Sequence, residues 1–177
     1  MQNIIKKYIP EFVYGAVDGT VTTFAVVAAS AGAGISSAVI LILGIANLIA
    51  DGFSMGSSAY LAASAEHDEL VHNKKKQSSS KIVGLMTFLA FVIVGSVPVL
   101  PYLIDVIANL KISSTTLFYI SSILTAVVFV LIGFIKGKVS EQSPWRSSVI
   151  ALTLGAIAAG LAYFAGDILV SWLSVRL

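Results

Sequence analysis

Asp18 and Asp51 each sit inside an apolar run long enough to cross a bilayer. An aspartate at the centre of a membrane helix costs about 2.5–3.5 kcal/mol, so each needs a partner or a task. The spacing around Asp51 is chemical. Asn47, Asp51 and Met55 follow one another at four-residue intervals and share one face of a helix. Thr22 lies one turn beyond Asp18, and Glu11 stands at the entrance of the same run. The set offers carboxylate, amide, hydroxyl and thioether groups. Such a mixture of oxygen with one soft sulfur suits Fe²⁺ or Mn²⁺ better than Mg²⁺ or Ca²⁺, which take oxygen alone. The competing reading is structural. An intramembrane Asp can bond Ser, Thr or backbone groups across a helix interface, and a lone Met is more often packing than ligand. For the two acids function is favoured over structure; for Met55 taken alone, packing is favoured.

Composition names the elements that must hold these residues. The chain has 177 residues, 57% of them hydrophobic and 11% charged, with mean hydropathy +0.94. Soluble domains carry roughly 25% charged residues. Too little polar surface exists here to cover a soluble globule, so the fold class is an all-α integral membrane protein, one domain over 1–177. A span needs about 20 mostly apolar residues, and five runs qualify: 12–33, 36–62, 82–106, 114–136 and 147–174. The runs are continuous and do not alternate, which excludes barrel strands. A polar cytoplasmic loop, 66–81, follows the second span. With no cysteine, disulfides and thiolate metal sites are excluded.

Charge placement orients the spans. Of the 11 basic residues, Lys6, Lys7, Lys74, Lys75, Lys76, Lys81, Lys136, Lys138 and Arg146 fall on one side, and Lys111 and Arg176 on the other. The positive-inside rule then puts the N-terminus in the cytoplasm and the C-terminus outside. Lys6 and Lys7 resemble the start of a signal peptide, but the apolar run that follows exceeds the usual h-region and holds Asp18; cleavage is the minor alternative. In this orientation Asp18 is about 9 Å from the inner end of its span. The antiparallel second span places Asp51 and Met55 in the same cytoplasmic half.

Other features read more plainly. Gly15-x-x-x-Gly19 and Gly52-x-x-x-Gly56 bracket the two acids and permit close helix approach, within a protomer or across a dimer. Asp105 and Asp167 lie near outer span ends and read as interfacial solvation. Asp68 and His72, with His67 and Glu69 nearby, are a weak metal-collecting patch at most, and a solvated helix extension is preferred. The Lys74–Lys76 run is a topology and anionic-lipid signal. No basic helix alternates with aromatics, so nucleic acid is not a partner. No HExxH, GxSxG or P-loop is present, and no convergent nucleophile and base are visible: the chain is not read as an enzyme. With no nucleotide site, transport would draw on an ion gradient or passive flow.

The stretches FVYGAVDGTVTTFAVVAASAGAG (12–34), GIANLIADGFSMGSSAY (44–60), GSVPVLPY (95–102) and GFIKGKVSEQSPWRSSVIALTLGAIAAGLAYFAGDIL (133–169) resemble the vacuolar iron transporter family. The resemblance covers nearly the whole chain. It implies a five-helix homodimer that moves Fe²⁺, often Mn²⁺, out of the cytosol in exchange for protons, along a path at the dimer interface. It implies Asp18 and Met55 as inner metal ligands, with Glu11 as the acid preceding them. Two departures stand out. Ala59 occupies the position, four residues after Met55, where many members carry Glu. Asp51, one turn from Met55 in the opposite direction, is the candidate replacement. The Glu-rich cytoplasmic domain that plant and fungal members carry after the second span is also missing, since only the loop 66–81 lies there. A short chain without that domain or a targeting extension points to a prokaryotic inner membrane.

The leading expectation is therefore a divalent transition-metal transporter with Asp18, Asp51, Met55, Glu11 and Asn47 as the metal site. Its substrate is Fe²⁺ or Mn²⁺, its counter-ion the proton, and it holds no permanent cofactor. The alternatives are a proton-coupled carrier of another cation or small solute, and a non-transporting membrane module in which the acids are packing glue.

Overall fold

The computed structural model describes residues 2–70 and 79–173, with side chains described for 8–66 and 79–173. Six α-helices follow in order: α1 (Gln2–Gly32), α2 (Ser37–Leu70), α3 (Ser80–Gly95), α4 (Leu100–Ala108), α5 (Ser114–Val139) and α6 (Pro144–Leu173). A 3₁₀ turn, Val97–Val99, joins α3 to α4. No strand occurs among the described residues. Among the described residues, five stretches are long and apolar enough to span a membrane, the third being α3 through α4 (Ser80–Ala108). The chain is a multi-pass all-α membrane protein, as composition required.

Exposed apolar side chains cover the bundle, as lipid contact demands. The α6 helix is the extreme case, with little of its surface buried against the rest of the chain. Trp145 and Trp172 lie near its two ends, 72% and 80% exposed. They are about 40 Å apart along the helix, the spacing of the two interfacial zones where Trp is favoured.

The connections are short and locally specified. Gly34 turns the chain between α1 and α2 with φ +70°, a conformation that favours glycine. Asn109 ends α4 in the left-handed region, and the Ile112 N–H donates to Asp105 Oδ1 at 2.9 Å. Asp105 therefore braces the α4–α5 turn and is not merely solvated, as the sequence reading had it. The break in the third span comes from Pro98 and Pro101, which lack the N–H a continuous helix needs. Part of the lost bonding is recovered when the Ser121 hydroxyl donates to the Pro98 carbonyl at 2.6 Å.

The α3 helix is wedged between α1 and α2. A Cβ on Gly19 would lie 2.5 Å from the Phe91 carbonyl oxygen, and one on Gly15 would collide with the Thr87 carbonyl. On α2, a Cβ on Gly56 would lie 2.8 Å from Phe88 Cβ, and one on Gly52 3.1 Å from Val92 Cγ2. Both glycine pairs thus seat α3. They do not draw α1 and α2 directly together, so the acids they bracket approach only because both helices flank α3.

The second helix runs well past the expected span end at 62, to Leu70. Residues 66–70, read as loop, are helical. His72 and Lys74–Lys76 lie outside the described residues, and the side chains of His67, Asp68 and Glu69 likewise.

Candidate functional site

Two polar stripes cross the apolar bundle. On α1, Glu11, Tyr14, Asp18 and Thr22 recur at three- and four-residue spacing and share a face. Glu11, Asp18 and Thr22 are half-buried and Tyr14 is exposed. On α2, Asn47, Asp51, Ser54 and Ser58 form the matching stripe; Asn47 is half-buried and the other three are exposed. A carboxylate and two hydroxyls on the outside of a membrane helix have no polar partner in hydrocarbon, so this stripe requires water or a second protein surface.

The stripes meet at the acids. Asp18 and Asp51 lie close enough for each charge to act on the other. Two like charges in a poorly screened setting repel, and a cation between them would turn that repulsion into attraction. One turn from Asp51, the Asn47 side-chain amide donates to the Thr23 hydroxyl at 3.4 Å and ties α2 to α1. The Thr22 hydroxyl donates to the Asp18 backbone carbonyl at 2.9 Å, which leaves its lone pairs but not its proton for a ligand. Met55 is half-buried and packs against the main apolar cluster around Phe91 and Leu48, in keeping with the packing role favoured for it alone.

A second acidic position lies toward the N-terminal end of α1. A cavity of about 370 Å³ is lined by Glu11, Tyr14, Ala59, Ala63, Glu66 and Thr87, among others. Glu11 Oε2 is buried there without a hydrogen-bond partner. Glu66, read from the sequence as a loop acid, instead stands on α2 across this cavity from Glu11. The signal that finds it is helical spacing: Met55, Ala59, Ala62 and Glu66 continue one face of α2. Ala59, where a carboxylate was expected, also lines the cavity.

Among the described residues no group of three or more His, Cys, Asp or Glu is assembled. The chain brings together Asp18 and Asp51, with Asn47 at their side, Met55 one turn along α2, and Glu11 in the neighbouring cavity with Glu66. This is fewer ligands than the six or more oxygens of a dedicated hard-cation cage.

Comparison with known proteins gives a consistent answer. The model of the VIT family matches residues 9–82 and 68–167. The vacuolar iron transporter of Toxoplasma gondii is 25% identical over an alignment of 229 positions, covering 94% of this chain and 76% of that protein. Vacuolar iron transporter 1 of Eucalyptus grandis is 23% identical over 216 positions, covering 89% of this chain and 84% of its own length. The vacuolar iron transporter of Plasmodium falciparum is 36% identical over 75 positions, 42% of this chain and 28% of that protein. The longer alignments exceed the 177 residues here, so those relatives carry inserted residues. The two segments matched by the family model meet at 68–82, the connection between the second and third spans.

Proposed function

This chain belongs to the VIT family, a family of transporters rather than enzymes, and from that premise we propose that it carries Fe²⁺ or Mn²⁺ across its membrane in exchange for protons. The observation that carries the proposal is the pair Asp18 and Asp51, two carboxylates within electrostatic reach where the polar stripes of two membrane-length helices meet. The metal binds between the two carboxylates, with Asn47 and Met55 as neutral ligands. Glu11, with Glu66 across the cavity, receives the ion at the cytoplasmic mouth. Protons and metal compete for the same carboxylate oxygens, so protonation from the far side releases the ion. That competition is sufficient for antiport and needs no nucleotide.

The exposed stripe on α2 supports a homodimer. Asp51, Ser54 and Ser58 face away from their own protomer, and a second copy related by a two-fold axis would cover them with the same polar surface. The ion path then lies between the two protomers, and each supplies ligands that the other lacks. The positive-inside count turns the Glu11 end of the path toward the cytosol, and an inward proton gradient would then drive the metal out. The named relatives are vacuolar; for this chain, which has only a short connection after the second span, we propose a prokaryotic cytoplasmic membrane.

The test is metal flux into proteoliposomes loaded with a divalent-sensitive dye, for Fe²⁺ and Mn²⁺, with and without a pH gradient. Wild type should show flux that the gradient drives, and Asp18→Asn should lose it while remaining folded. Undiminished flux in that variant would sink the assignment, and flux of neither metal would leave another cargo or a non-transporting role.

A further inference from the structure

Among the described residues, two fully buried hydroxyls have no hydrogen-bond partner, Tyr102 and Thr125. Tyr102 is enclosed in the main apolar cluster. Thr125, 1% exposed, instead lines a cavity of about 630 Å³ between α1, α5 and α6. Other helical hydroxyls in the bundle behave otherwise. Ser122 donates to the carbonyl of Phe118, four residues back, at 2.7 Å, and Thr20 and Thr87 do the same at 2.7 and 2.9 Å. Thr125 alone on this helix face leaves its proton unused in the middle of an apolar span.

Aromatic rings line one part of the cavity. Phe24 and Phe118 stand nearly parallel, 10° apart with ring centroids 6.2 Å apart, and Tyr163 lies 5.8 Å from Phe118. Small residues, among them Ala126 and Gly160, also line it. A Cβ on Gly160 would meet nothing within 4 Å, so the space is open and not filled by a neighbouring side chain. The volume falls within the range of about 300–1,000 Å³ typical of small-molecule sites. Thr125 is about 16 Å along α5 from its Ser114 end, close to the middle of a hydrocarbon core about 30 Å thick.

We propose that this cavity binds a membrane-soluble molecule with a flat, carbonyl-bearing ring and an apolar tail, the chemistry of a quinone. The ring packs against Phe24, Phe118 and Tyr163, as flat π-systems prefer, and the Thr125 O–H donates to a ring carbonyl. Threonine in a helix has two accessible χ1 wells, so a turn about one bond presents the hydroxyl to the ligand. Simple lipids fit less well. An acyl chain has no hydrogen-bonding atom at this depth, and an alcohol-headed lipid keeps its oxygen at the interface. The proposal concerns binding only and does not depend on the transport reading.

The test is saturable binding of tritiated decylubiquinone to the full chain in phosphatidylcholine nanodiscs, measured against empty nanodiscs. Wild type should bind saturably. Thr125→Val, which keeps the shape and removes the hydroxyl, should bind about fivefold more weakly, the effect of one neutral hydrogen bond. Gly160→Leu, which fills the cavity from a position with free space, should abolish binding. Gel filtration and circular dichroism establish that both variants are folded, and wild-type binding decides the matter if either is not. Absence of saturable binding to wild type overturns the proposal. So does full affinity in Thr125→Val with binding lost in Gly160→Leu, because the occupant would then be held by shape alone, as an acyl chain is.

Discussion

Asp18 on α1 and Asp51 on α2 lie within electrostatic reach of each other, on two helices that both pack against α3. Nothing described beside them is cationic: the Asn47 amide and the Thr22 and Thr23 hydroxyls are neutral. Packing therefore brings together two carboxylates whose like charges would repel if both were ionised, and the glycines beside them show how. Gly19 and Gly56 each press backbone against α3 so tightly that the two flanking helices have fixed positions.

If that repulsion is stored in the folded protein, removing one charge should stabilise it. We expect Asp51→Asn to raise the thermal midpoint of the detergent-purified protein, or leave it unchanged, while metal flux falls more than tenfold. The same holds for Asp18→Asn. A strongly lowered midpoint in both would mean that the carboxylates hold the helices together and the structural reading is right.

A bound divalent ion should relieve the repulsion instead. Mn²⁺ at a hundred times its dissociation constant should stabilise the wild type by about 2.7 kcal/mol, visible as a raised thermal midpoint, and Asp51→Asn should remove most of this shift. The pH dependence follows from competition. Metal binds the deprotonated oxygens, so each proton taken up displaces affinity, and the shift should shrink as pH falls and grow as it rises. A metal-induced shift that is equal at low and neutral pH would argue against carboxylate ligation.

The wedge of α3 gives a sharper structural expectation. Gly19→Ala places a methyl 2.5 Å from the Phe91 carbonyl oxygen and 2.9 Å from its Cα. Backbone cannot give way as a flexible side chain would, so α1 must move, at a cost of roughly 1–3 kcal/mol. Gly160→Ala meets nothing within 4 Å and should be neutral or stabilise by up to about 1 kcal/mol, the gain in helix propensity. Chemical denaturation of the two variants side by side measures the difference.

These relationships were unequally legible in the sequence. The five spans followed from apolar runs whose length the bilayer dictates. Asp18 and Asp51 stood out because a charge in such a run is rare and costly. The partner of the glycine motifs was hidden, because G-x-x-x-G says that some backbone approaches closely and not which one. Here Phe91 and Gly84 of α3 take that place. The end of α2 was hidden too, since AASAEHDEL loses apolar character while keeping residues that favour helix, and hydropathy marks where the membrane stops, not where the helix does. Asp105 looked like a solvated acid because its partner, the Ile112 N–H, is a backbone group that no side-chain pattern records.

Glu66 is the residue whose placement changes the functional picture most. It shares a cavity with Glu11 and with Ala59, where a carboxylate was expected, and one oxygen of Glu11 is buried there without a partner. An acid about two turns beyond Ala59 can supply to the cavity the negative charge that Ala59 cannot. Such a site acts before the ion reaches Asp18 and Asp51, so it should govern capture more than the maximal rate. We expect Glu66→Gln to raise the half-saturating Mn²⁺ concentration severalfold with little change in the maximal flux. Ala59→Glu in the same background should restore part of the lost affinity. If Glu66→Gln instead lowers the maximal flux and leaves half-saturation unchanged, the cavity belongs to the release step or to the protein's conformational change, and Glu11 alone receives the ion.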